Sequence, residues 1–194
     1  MSAPAAPQLD DPQVLRGARR AVERYGWQDV TLDRIAAEAG LSRMTLHRRG
    51  VSRGAVLDAL AAQLEREYRD AMWPALAAPG SGRERLERAL AAECEVAEAN
   101  LRLLGALSEG PRAAIFHEQD ARGLTREVFT APLQRLLADG AADGSLRPVD
   151  AAETATVLFS LVGFTYRHLR QGHGWAPARA RRAVLSIALE GVAA

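Results

Sequence analysis

Lysine is missing from this sequence and cysteine occurs once, so two common sources of side-chain chemistry are absent or nearly so. All 25 residues counted as Lys plus Arg are arginine. The single cysteine, Cys94, excludes an internal disulfide framework and is typical of a reducing cytoplasm. Because Cys94 shares an apolar helical stripe with Leu86, Leu90 and Ala97, we predict a small core residue and not a redox sensor.

Aromatic residues and long apolar runs are also scarce. Aromatics make up 5% of the chain. The longest apolar run, around residues 155–166, is far shorter than the ~20 residues that a membrane span requires. The N-terminal stretch has neither the basic segment nor the apolar core of a signal peptide. We therefore expect a cytoplasmic protein that does not engage a membrane.

Groups that would carry catalysis or hold a metal are equally sparse. The four histidines form no HExxH motif and no Cys/His cluster at metal-ligand spacing. There is no glycine-rich phosphate loop and no G-x-S-x-G elbow, and Cys94 has no evident base. We expect no enzyme activity, no cofactor and no metal site. A row of acids at Glu93, Glu95 and Glu98 is interpreted as a solvated helix face.

What the sequence does contain is helical periodicity. Hydrophobic residues make up 48% of the 194 positions, and they recur at helical spacing without an alternating strand pattern. The predicted fold is all-α. A disordered arm at residues 1–10 precedes a three-helix domain at residues 11–58, and a long fourth helix leads into a helical domain at residues 59–194. That fourth helix is expected to begin at Ser52 and to end near Trp73 and Pro74.

Residues 31–57 read as two short helices joined by a tight turn. Thr31 and Ser42 are N-cap residues, and Gly40 lies where the first helix must stop and reverse. Leu46 is the inward anchor of the second helix. This spacing predicts a helix-turn-helix.

Positive charge is concentrated on the second of these helices. The net charge of the whole chain is only +1, so affinity for nucleic acid must come from local clustering. No acidic residue occurs from Ala39 to Leu57. We interpret this basic face as a DNA-binding surface; the alternative is a solvated face on a purely structural motif. The cluster consists of Arg43, His47, Arg48, Arg49 and Arg53.

The order of cap, glycine and anchor residues from Thr31 to Leu46 resembles that of the tetracycline-repressor (TetR) family of bacterial transcription regulators. The resemblance covers roughly the first third of the chain and departs from the family pattern at three positions: the family usually has Tyr at the position of His47, Phe at Gly50 and Lys at Arg53. Val51 is expected to fill part of the space that the missing aromatics leave. The resemblance rests on the order Thr31, Ile35, Ala36, Ala39, Gly40, Ser42, Thr45 and Leu46.

Roles within the motif follow from position. The start of a recognition helix points into the major groove, so Arg43 is predicted to read guanine, and Met44 or Thr45 to contact thymine methyl groups. Phosphate contacts are expected from backbone N–H groups at the start of the fourth helix and from the side chains of Thr31, His47, Arg48 and Arg53, while Arg49 could serve either role. The predicted DNA-contacting set is Thr31, Ser42, Arg43, Met44, Thr45, His47, Arg48, Arg49 and Arg53.

The last two predicted helices are apolar on more than one face, which indicates a partner subunit. The resemblance implies the same: a homodimer through these helices, a palindromic operator in double-stranded DNA, and a repressor that a small, hydrophobic effector releases. The competing hypothesis is an all-helical interaction protein that keeps the motif as a scaffold. The expected effector pocket consists of Trp73, Phe116, Phe129, Phe159, Phe164 and Tyr166.

Overall fold

The computed structural model describes residues 9–108 and 125–194, and the regular structure in these residues is helical apart from an isolated bridge between Leu146 and Ala193. The predicted all-α fold is confirmed. None of the described helices is long and apolar enough to cross a membrane. The helices are α1 Pro12–Tyr25, α2 Leu32–Ala39, α3 Arg43–Arg48, α4 Arg53–Ala77, α5 Gly82–Ala99, α6 Leu101–Ser108, α7 Ala131–Ala142, α8 Ala151–Gln171 and α9 Pro177–Glu190.

The described residues divide into two compact units. Residues 9–64 and 102–108 belong to the first, and residues 65–101 and 125–194 belong to the second. Helix α4 therefore contributes to both. The predicted division of the chain at residue 58 stays a prediction.

In the first unit, α1 packs closely against α2. A Cβ atom on Gly17 would lie 2.6 Å from the Cβ of Ala39, so only glycine allows this approach. Glu38 of α2 is paired with Arg24 at 3.1 Å and with Arg20 at 3.6 Å. The first helix thus supports the helix-turn-helix from behind, around buried side chains that include Val14, Ala18, Ala21, Ile35 and Leu46.

Helix α4 is longer than its sequence predicts. Pro74 was expected to end it, yet the helix continues through Pro74 to Ala77. Proline removes one backbone donor and strains the preceding turn. The neighbouring side chains of Met72 and Ala75 are buried, with 1% and 3% exposure, so tertiary packing offsets that local cost.

In the second unit, α5 begins at a capping box in which Ser81 and Glu84 satisfy each other's backbone donors. Pro132 lies in the first turn of α7, after a π-helix at Thr125–Thr130. Proline is tolerated at this position because its missing N–H would have no intrahelical partner there. Cys94 is a buried free thiol, and burial raises its pKa to about 12, as a core position requires.

The interpretation of the acidic row on α5 was wrong. Glu93 is buried, with 3% exposure. Glu98 accepts hydrogen bonds from Arg170, and only Glu95 is fully exposed. The physical reason is visible in the spacing, because Glu93 lies three residues after buried Leu90 and therefore on the core stripe of the helix.

Candidate nucleic-acid interface

The two helices of the motif begin with hydroxyl caps. Thr31 Oγ1 accepts the backbone N–H of Arg34 at 3.2 Å, and Ser42 Oγ accepts that of Thr45 at 3.1 Å. The hydroxyls of Ser42 and Thr45 also lie 2.9 Å apart. These bonds satisfy donors at each helix start that would otherwise lack partners, and they fix the direction in which α3 leaves the turn.

Both helices also end in the same way, with a glycine in the left-handed conformation followed by an apolar residue. Gly40 has φ of 66°, and the N–H of Leu41 reaches back to the carbonyl of Ala36 at 2.9 Å. Gly50 has φ of 67°. After it, the N–H of Val51 reaches the carbonyl of Leu46 at 3.1 Å. This six-to-one bond defines a Schellman motif at each end.

Gly50 therefore has a physical role at the position where the family usually has Phe. The φ of 67° at Gly50 strongly favours glycine, since most other residues are strained there. Val51, with 6% exposure, lies in the core together with fully buried Leu46. The expectation that Val51 takes up part of the missing aromatic volume agrees with this burial.

The sequence signal for these two ends is a repeated tripeptide. In the first copy, Gly40 ends α2, half-buried Leu41 follows it, and Ser42 caps α3. Residues 50–52 repeat this pattern before α4. Ser52 Oγ accepts the N–H of Ala55 at 3.1 Å. The same glycine–apolar–serine pattern thus fixes both turns of the interface.

The residues at the exposed face of α3 differ in what holds them. Met44 is 71% exposed. The side chains of His47 and Arg48 are exposed and have no hydrogen-bond or ionic partner within residues 9–108 and 125–194. Arg48 is therefore a cation with full freedom to meet a phosphate.

Two other arginines of the cluster, Arg43 and Arg49, already have ionic partners. Arg43 donates from Nη1 to Asp33 Oδ2 at 2.9 Å, and Arg49 is paired with Asp11. The sequence had indicated a face without acids, but the tertiary fold brings Asp33 from α2 and Asp11 from the cap of α1. The stretch from Ala39 to Leu57 contains no acid, but acids from two other helix regions lie beside α3 in the fold.

Arg53 occupies a mixed position at the start of α4. Its guanidinium donates to the backbone carbonyl of Trp27, and its Cζ lies 4.5 Å from the centre of the Trp27 ring. Arginine stacks on aromatic faces in this way and still presents its outer N–H groups to an anion. No sequence signal indicates this contact, because Trp27 and Arg53 are 26 residues apart along the chain.

The predicted effector residues are not all brought together. Phe129 and Phe159 stack with ring centres 5.2 Å apart. Trp73 and Phe164 are exposed, at 69% and 42%, while the buried Tyr166 donates its hydroxyl proton to Glu98 at 2.9 Å. Phe116 lies outside the described residues.

A separate groove of about 870 Å³ lies between α5 and α9. None of the predicted effector residues lines it. Charged side chains share its walls with apolar ones from Ala91, Leu185 and Leu189, whereas the pocket expected from the sequence is aromatic. The charged lining residues are Glu84, Glu87, Arg88, Arg181 and Arg182.

Two capped helices across a glycine turn, with an exposed basic face on the second, define the helix-turn-helix class of DNA-binding proteins. Residues 14–60 match the model of the family described as "Bacterial regulatory proteins, tetR family". Over 92% of its length the chain is similar to a TetR/AcrR-family transcriptional regulator from Thermobifida fusca, with 25% identity, a TM-score of 0.72 and 96% of that chain covered. Residues 14–60 are therefore a TetR-family helix-turn-helix, and the fold of the chain is similar to that of TetR-family regulators, which supports DNA binding.

Other solved structures share the fold at lower identity. The TetR-family transcriptional regulator PfmR from Thermus thermophilus is 21% identical, with a TM-score of 0.70 over 91% of this chain and 97% of that one. A transcriptional regulator from Cytophaga hutchinsonii is 13% identical, with a TM-score of 0.71 over 93% and 97%. None of the curated proteins compared with the chain matches it.

Proposed function

We propose that the protein is a cytoplasmic homodimeric repressor that binds a palindromic operator through α3 and leaves it when a small hydrophobic effector binds. The observation that carries the DNA-reading role is the exposed face of α3. Met44 and Arg48 project from a helix whose two ends are fixed by Ser42 and Gly50. A rigidly held helix of this kind can present side chains to base edges and phosphates in one geometry.

Homodimer formation is supported by apolar side chains left exposed on the last two helices. Val157 and Phe164 of α8 are 55% and 42% exposed, and Ile187 of α9 is 65% exposed. Positions 157 and 164 are seven residues apart and share one helical face. Such a face is favourable when a second copy covers it, and a two-fold dimer would present two copies of α3 to a palindrome.

Effector release requires that two conformations of the dimer differ in their affinity for the ligand. Helix α4 is the element through which we propose that they are coupled, because Arg53–Ala77 contributes residues to both compact units. A shift of α4 would change the separation of the two recognition helices from the ~34 Å that successive major grooves require.

A gel shift at two salt concentrations, with DNA from upstream of the protein's own coding sequence, tests this function. The wild-type protein should bind more weakly at higher salt, because phosphate contacts release counterions. Arg48→Ala should weaken binding, while Arg182→Ala on α9 is the matched control and should not. Absence of binding at both salt concentrations would favour the interaction-protein hypothesis instead.

A further inference from the structure

Glu93 is a buried carboxyl group without a side-chain partner in the part of the chain that the structure describes. It lies on α5 with 3% exposure, and neither carboxylate oxygen has a well-formed hydrogen bond. The backbone N–H of Gly163 lowers its pKa less than burial raises it. Its neighbours on the same helix are satisfied: Glu98 binds Arg170, and Glu95 binds Arg181. An unsatisfied buried acid is costly, so its presence calls for a function.

Groups on two other helices, α8 and α4, lie near Glu93. A Cβ atom on Gly163 of α8 would lie 3.1 Å from Glu93 Oε1, so this carboxylate faces α8 where that helix has no side chain. Phe159 is one helical turn before Gly163 and lies on the same face. Tyr68 of α4 is close enough that the charge of Glu93, after burial, raises the pKa of its hydroxyl.

The aromatic residues form one cluster. The ring centre of Tyr68 is 4.8 Å from that of Phe129 and 6.0 Å from that of Phe159, and both pairs meet edge to face. The two phenylalanine rings are themselves stacked. A carboxylate beside several aromatic rings is the chemistry that recognises an organic cation, because the ring faces and the carboxylate both attract positive charge in a desolvated site.

We propose that the second unit binds a hydrophobic organic ammonium ion, with Glu93 as its counter-charge and Tyr68, Phe129 and Phe159 as its aromatic contacts. Burial raises the pKa of Glu93 well above its ordinary value, because no cation of the described residues lies beside it. This agrees with a carboxyl group whose positively charged partner is a bound ligand. The role of this ligand as the effector rests on the proposed function, but its binding does not.

The test uses a matched pair of probes on the full-length protein. Phenyltrimethylammonium and its neutral isostere tert-butylbenzene have the same shape and differ in charge. Calorimetric titration of the wild-type protein should show binding of the cation at least ten times tighter than that of the hydrocarbon. Glu93→Gln should abolish this preference, and Phe159→Leu should weaken cation binding by removing one ring.

Glu87→Gln is the matched control, since Glu87 is exposed on the same helix, and it should leave cation binding unchanged. The proposal is overturned if the wild-type protein does not bind the cation, if it binds both probes equally, or if Glu93→Gln binds the cation as tightly as wild type. Operator binding is measured separately by gel shift. Loss of DNA binding with intact cation binding would contradict the proposed function alone.

Discussion

Arg43, the first residue of α3, is held by Asp33 of α2, with Nη1 and Oδ2 2.9 Å apart. Both side chains are well exposed, at 70% and 58%. An exposed ion pair of this kind contributes only about 0–1 kcal/mol. The pair can therefore orient Arg43 in the free protein and still release it to a guanine.

Substitution Asp33→Asn should consequently strengthen binding to all DNA sequences and weaken discrimination at one base pair. The first effect arises because a negative charge near the phosphates is removed, and the second because Arg43 loses its orienting partner. Fluorescence anisotropy with the operator and with single-base variants measures both. Glu23→Gln on α1 changes the net charge equally and serves as the control. Unchanged affinity and unchanged discrimination would show that Asp33 has no such role.

Arg53 should contribute to both DNA affinity and stability, since it stacks on Trp27 and can meet a phosphate. Arg53→Ala is expected to weaken binding to all sequences and to reduce the salt slope by about 0.9 for each protomer of the proposed dimer. It should also lower the melting temperature. Arg53→Lys should keep the slope, because it keeps the charge, but not the stability that the stacked guanidinium provides. A slope that does not change in Arg53→Ala would rule out the phosphate contact.

Gly50→Ala should destabilise the first unit by about 1–2 kcal/mol, because alanine is strained at the positive φ of this position. Gly105→Ala is the matched control, and its effect on the free energy of unfolding should have the opposite sign. Gly105 lies inside α6 with open space where a Cβ would be, so alanine there should stabilise by about 0.5–1 kcal/mol. Chemical unfolding at fixed protein concentration measures both. Equal effects of the two substitutions would contradict the left-handed role of Gly50.

Much of this arrangement could be predicted from the sequence, because its signals are local. Caps at Thr31 and Ser42, the stop at Gly40 and the anchor at Leu46 depend on neighbours a few residues away. The partners of Arg43 and Arg49 could not be predicted in this way, since Asp33 and Asp11 reach them through the packing of separate helices. The continuation of α4 through Pro74 likewise depends on tertiary burial and not on local propensity.

Glu93 should make the stability of the protein fall as pH rises. Below the ordinary carboxyl pKa, both folded and unfolded chains carry the proton and there is no penalty. As pH rises above that value, the unfolded chain releases the proton while burial keeps it on the folded chain, so stability is lost up to the raised pKa. Glu93→Gln should match wild type near pH 4 and exceed it at pH 7, by about 1.4 kcal/mol for each pH unit in which only the unfolded chain has released the proton.

Chemical unfolding of wild type and Glu93→Gln across this pH range isolates the contribution, because other titrating groups cancel in the difference. The exposed Glu87→Gln variant should follow wild type throughout. A Glu93→Gln variant that is less stable than wild type at pH 7 would mean that the ionised carboxylate is stabilised by a partner, contrary to this account.

Ile187→Asp should convert the proposed dimer into a monomer. Ile187 is 65% exposed on α9, and a charge at the centre of an apolar contact between two copies would be buried without a partner. Sedimentation equilibrium of wild type and variant gives the two masses directly. The circular dichroism spectrum of the variant should remain that of a folded helical protein. A wild-type monomer, or a variant that stays dimeric, would place the contact elsewhere.

Sequence-specific DNA recognition by α3 is the central claim, and selection of bound duplexes from a random library tests it most directly. Wild-type protein should enrich a palindrome with half-sites one helical turn, or a multiple of it, apart. Arg43→Ala should lose preference at one symmetric base pair, at a cost of about 1–3 kcal/mol for the preferred base. Enrichment of no sequence by the wild-type protein, or an identical palindrome from Arg43→Ala, would contradict it.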